Sequence, residues 1–129
     1  MKIEHIAIWV KDLEVSRAFY QKYFGATSNE KYHNPVKNFE SYFFSFDNGC
    51  RIEIMNRPDI RKSENSYQFQ QLGIIHLAFS AGSKENVNEL TETLRKDGYT
   101  VVGEPRTTGD GYYESVILDP ENNIIEIVA

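Results

Sequence analysis

The chain has 129 residues, 40% apolar and 26% charged, a balance that excludes disorder, fibres and membrane-embedded proteins. Its net charge of −5, with no basic run, argues against nucleic acid or anionic lipid as a partner. No window approaches the ~20 apolar residues of a spanning helix, and Glu4 and His5 fall where a signal peptide would need apolar residues, so a cytoplasmic protein is expected. The single cysteine, Cys50, allows no internal disulfide and is expected to be a small buried apolar residue in a strand.

Residues 2–10 alternate and are rich in Ile, Trp and Val, which predicts a strand with Ile6, Ile8 and Val10 on one face and Ile3, His5, Ala7 and Trp9 on the other. Asp12 is an N-cap residue, apolar and aromatic residues recur at helical spacing from Leu13 to Phe24, and Gly25 supplies the stop. A short strand is expected over about 26–32, then a loop over 33–38 around Pro35. Strands over 39–46 and 50–55 flank the turn Asp47-Asn48-Gly49 and place Glu53 between Ile52 and Ile54.

A polar connector covers about 57–73, after which the pattern repeats. Residues 74–80 form a strand with His76 and Ala78 facing one way and Ile75, Leu77 and Phe79 the other. Ser83 caps a helix lined by Val87, Leu90 and Leu94 and ended by Gly98. Strands are expected over 99–104, 112–118 and 123–128, with a loop over 105–111 that Arg106, Tyr112 and Tyr113 border and a turn over 119–122. The chain therefore reads as one domain, 1–129, made of two repeats, about 1–56 and 74–129, each a strand, a helix and three strands.

His5 and His76 occupy equivalent positions of the two repeats, as do Glu53 and Glu126, each glutamate lying between two isoleucines. If the helices cover the aliphatic faces, all four polar side chains point into the remaining concavity. Two imidazoles and two carboxylates that converge suit a divalent transition metal and leave coordination positions for water or substrate. Taken singly, a strand histidine is usually a hydrogen-bonded polar residue and a strand glutamate usually faces solvent. The recurrence of both residue types, in register, in both halves decides for a metal site.

Several stretches resemble the vicinal oxygen chelate superfamily, which includes glyoxalase I, methylmalonyl-CoA epimerase, extradiol dioxygenases, fosfomycin-modifying enzymes and bleomycin-resistance proteins. They are His5-Ile6-Ala7-Ile8, Phe19-Tyr20 with Phe24-Gly25, His76-Leu77-Ala78-Phe79, and Asp119-Pro120-Glu121-Asn122-Asn123-Ile124-Ile125-Glu126. The resemblance implies an α+β fold of two tandem βαβββ modules forming a cupped mixed sheet, commonly assembled as a homodimer. It also implies a divalent ion (Zn, Ni, Co, Mn or Fe) held by His5, Glu53, His76 and Glu126, within one chain or across two.

Within that superfamily, an acidic ligand at Glu53 points to the proton-transfer branches, with Glu53 or Glu126 as the catalytic base. The reading adopted is a glyoxalase I-type lyase acting on a small carbonyl compound or its thiol hemithioacetal, with Trp9, Arg51 and Met55 lining the substrate pocket. Glutathione-using members resemble one another in a basic residue where this chain has Trp9 and in an Asn where it has Arg57, which points away from glutathione itself. The alternatives are a metal-free small-molecule binding protein of the bleomycin-resistance kind, or an epimerase or dioxygenase of the same superfamily.

Overall fold

The strand β1 (His5–Trp9) is followed by α1 (Leu13–Phe24), β2 (Thr27–Ser28), β3 (Tyr32–Asn34), β4 (Phe39–Ser45) and β5 (Arg51–Asn56) in a computed structural model that describes residues 1–129. The pattern returns with one strand fewer as β6 (His76–Ser80), α2 (Lys84–Lys96), β7 (Val101–Thr107), β8 (Tyr113–Leu118) and β9 (Ile124–Val128). The residues divide into two units, Met1–Lys62 and Ser63–Ala129, and the division falls inside the polar connector. The fold is α+β, built of βαβββ modules. No helix is long and apolar enough to cross a membrane.

In the first unit the sheet runs β1-β5-β4-β2, with β3 also paired to β4; in the second it runs β6-β9-β8-β7. Both are mixed, because β1 lies parallel to β5 and β6 parallel to β9 while the other pairs are antiparallel. A parallel pair needs a long crossover, and in each unit the helix and the intervening strands supply it.

Strand alternation sends one set of side chains under the helix. Tyr42, Phe44, Ile52 and Ile54 are buried with Leu13, Phe19 and Tyr20 of α1, and the Tyr20 and Phe44 rings meet at 5.5 Å between centroids. In the second unit Ile117, Ile125 and Ile127 are buried with Val87 and Leu94 of α2. The hydroxyls of Thr91 and Ser115 join at 2.6 Å inside that core, so the polar atoms there are satisfied.

The helix ends are set locally. The Asp12 carboxylate accepts from the backbone N–H groups of Glu14 and Val15 at 3.0 Å each, and Gly25 turns left-handed at φ 66° while its N–H reaches the Tyr20 carbonyl. Ser83 accepts from the Asn86 N–H at 3.2 Å.

Three local expectations are corrected. The strand expected over 26–32 is two short strands, because the Asn29 side chain takes the Phe43 N–H at 2.8 Å and interrupts the ladder; β3 then extends into the expected loop and pairs Asn34 with Phe39. β7 runs on through Pro105 to Thr107, since an edge strand with irregular register tolerates a residue that donates no hydrogen bond. Cys50 precedes β5 and is only half-buried.

Candidate metal centre

The faces that the helices leave open carry the predicted donors. In the first unit the parallel register sets His5 beside Arg51, Ala7 beside Glu53 and Trp9 beside Met55, and paired residues project to the same side. His5, Trp9, Arg51, Glu53 and Met55 therefore share one surface. The Nε2 of His5 stands 4.0 Å from Oε2 of Glu53, whose side chain is only 15% exposed although it lies on the open face.

Aromatic rings frame this pair. Phe43 pairs with Glu53 across β4 and β5, and the His5 ring meets it edge-on at 5.4 Å. The Arg51 guanidinium lies over the Phe43 ring at 4.4 Å. Trp9 packs edge-on against Phe39 at 6.0 Å, Phe39 meets Tyr32, and the Arg57 guanidinium lies over Trp9 at 5.5 Å. The Glu4 carboxylate bonds both Nδ1 of His5 and the Arg51 guanidinium, and these two contacts hold its carboxyl below the ordinary value.

The second unit repeats the pair. Ala78 registers with Glu126 as Ala7 does with Glu53, and Nε2 of His76 stands 3.3 Å from Oε2 of Glu126. Glu126 is flanked by the buried Ile125 and Ile127, and loss of solvation pushes its carboxyl up despite the opposing influence of His76; the nearby Glu114 adds to the rise.

Ligands on one ion lie about 2.0–2.2 Å from it, so neighbouring donor atoms stand roughly 3–3.5 Å apart. The His76 and Glu126 pair, at 3.3 Å, meets that spacing, and the His5 and Glu53 pair, at 4.0 Å, stands wider. A neutral imidazole with a carboxylate is a donor set that Zn, Ni, Co, Mn and Fe all accept. Each unit thus brings two of the predicted donors together, and no group of three or more His, Cys, Asp or Glu side chains converges.

Three residues of these faces escaped the sequence reading. Glu4 and Phe43 surround His5 as described. Glu114 is 12% exposed, lies two residues from Val116, the partner of Glu126, and takes a contact from Arg106 at 3.4 Å. The alternation of β8 carried the signal for Glu114, because it puts Glu114, Val116 and Leu118 on the Glu126 side.

A model of the Glyoxalase/Bleomycin resistance protein/Dioxygenase superfamily matches residues 2–127. An uncharacterized protein of Bacillus subtilis, YqjT, is 32% identical, with 98% of each chain covered. Among solved structures, a glyoxalase family protein from Enterococcus faecalis superposes with a TM-score of 0.79 at 23% identity, over 99% of this chain and 97% of that one. A glyoxalase I mutant from Zea mays gives 0.80 at 20% identity over 98% of this chain, which spans only 44% of the maize protein. At such identities the two structures show a shared fold.

Proposed function

Since this chain belongs to the Glyoxalase/Bleomycin resistance protein/Dioxygenase superfamily, we propose that it is a divalent-metal-dependent lyase of the glyoxalase I type, acting on a small carbonyl compound or its thiol hemithioacetal. His5 and Glu53 supply one half of the ligand set, and a His76 and Glu126 pair, from the same chain or a partner copy, supplies the other. The observation that carries this reading is the recurrence, on the helix-free face of both sheets, of a histidine nitrogen facing a glutamate oxygen.

When bound, such an ion polarises a substrate oxygen and makes the neighbouring C–H more acidic. The chain's own carboxylates do the proton work. A glutamate takes the proton from the carbon that bears the hydroxyl and sulfur and delivers it to the adjacent carbonyl carbon, while the hydroxyl proton passes to the former carbonyl oxygen, so the hemithioacetal becomes a 2-hydroxy thioester with no atoms gained or lost. Glu53 and Glu126 are the candidates for this role. Trp9 and Met55, neighbours across β1 and β5, are the apolar residues offered to the substrate, and Trp9 and Arg57, standing where glutathione-using members resemble one another in a basic residue and an Asn, favour a thiol other than glutathione.

Elemental analysis of the purified protein tests the proposal, together with His5→Ala and Glu126→Gln variants. Stoichiometric metal that is lost with either substitution, and turnover of methylglyoxal with at least one low-molecular-weight thiol, is the expected result. A wild type that holds no metal, and is not stabilised by any of the five ions, would overturn it in favour of a small-molecule binding protein.

A further inference from the structure

We infer that Glu4 is a positioning residue for His5, fixing which ring nitrogen is free to bind a ligand, and that Arg51 holds Glu4 in place. The inference rests on the proposed role of His5 as a metal donor. An ionised carboxylate only accepts hydrogen bonds, so the Glu4 contact requires the proton of a neutral His5 ring to sit on Nδ1. The lone pair is then left on Nε2, the nitrogen that faces Glu53. A carboxylate behind a ligating histidine fixes the tautomer and ring orientation and makes the free nitrogen a better donor.

Glu4 is itself restrained. The Arg51 guanidinium contacts its Oε1, with Nε at 2.9 Å, which leaves Oε2 for His5. The Arg51 backbone N–H also donates to the Glu4 carbonyl at 3.1 Å, so the start of β1 is tied to β5 at the same place. Phe43 completes the circle, with the guanidinium over its face and the imidazole edge against it. Glu4 and Phe43 thereby hold the His5 ring, and Arg51 braces both of them. In the second repeat Ile75 stands where Glu4 stands in the first and offers no acceptor, so the two histidines are set differently. Arg51, placed in the substrate pocket by the sequence reading, contributes its charge to this support.

The test compares wild type with Glu4→Ala and Glu4→Gln in two measurements. In metal-free, ¹⁵N-histidine-labelled protein at about pH 8.5, above the ordinary imidazole range, the His5 ring should carry its hydrogen on Nδ1 in the wild type and lose that preference in Glu4→Ala, while His76 is unchanged. In titrations with zinc or cobalt ions alone, Glu4→Ala should bind about 10–100-fold more weakly. Glu4→Gln, which keeps an acceptor oxygen, should recover part of the loss. An unchanged His5 spectrum in Glu4→Ala, or unchanged metal affinity beside a normal wild type, overturns the inference. If the wild type takes up no metal, it is the metal reading that falls, and the nitrogen spectra still decide whether Glu4 sets the His5 tautomer.

Discussion

Partial burial of the Glu126 carboxylate on the open face of the sheet costs solvation, and at 3.3 Å His76 only partly offsets that cost. Because the folded Glu126 carboxyl is raised, the stability linked to its protonated form is present at acid pH and is lost as pH rises through the raised value. Glu126→Gln, neutral at every pH, should therefore melt higher than metal-free wild type near neutrality, with the gap closing towards pH 4, a comparison that thermal melts at several pH values will make. Gly103 makes a different residue-scale demand. A Cβ there would stand 3.0 Å from Val116 Cγ2, 3.1 Å from Val116 Cβ and 3.4 Å from Arg106 Nη1, on the strand face shared with Glu114 and Glu126. Gly103→Ala should cost about 1–3 kcal/mol in urea unfolding, as overpacking does.

At the scale of elements, α1 is defined by its ends and by one charged cluster. Asp12→Ala removes the acceptor for two N–H groups and should cost about 1 kcal/mol, measured as a shift in the urea midpoint. Glu14 of α1 takes hydrogen bonds from Lys31 at 2.7 Å and from the Tyr42 hydroxyl at 2.9 Å, which hold its carboxyl below the ordinary value. A depressed carboxyl contributes stability that is fully present above the ordinary range and lost as pH falls through the folded value. Lys31→Met should accordingly lower the melting temperature at neutral pH, with the difference from wild type shrinking as pH is taken below the ordinary carboxylate range.

Both helices were legible in the sequence because a cap, a helical spacing and a glycine all pointed the same way. β3 and the far end of β7 were not, because their pairing depends on the Asn29 side chain and on an edge position that tolerates Pro105, neither of which local pattern reveals. The donors were legible as a repeat. Glu4 was hidden because simple alternation sends it to the face opposite His5, whereas just ahead of β1 its side chain reaches round to the ring.

Across the whole chain, duplication gives each unit the same sheet order and the same placement of histidine and glutamate. Binding a metal to the folded form alone should raise stability with the logarithm of ion concentration, by about 2.7 kcal/mol at one hundred times the dissociation constant. A chelator should reverse the gain, and calorimetry with and without it is the check. If the pairs are completed across two copies, light scattering will report a dimer, and mixing His5→Ala with His76→Ala chains will regenerate some intact sites.

The parallel pairing of β1 with β5, and of β6 with β9, also governs when each pair can come into being during synthesis. Each histidine emerges first and must wait about fifty residues for its glutamate, several seconds at ordinary rates of translation. A nascent chain arrested after the middle of the protein could already hold His5 against Glu53, while His76 would still lack both its neighbouring strand and its acid. Maturation would thus run from the amino-terminal half onwards, and any ion captured early would first meet the half that carries Glu4.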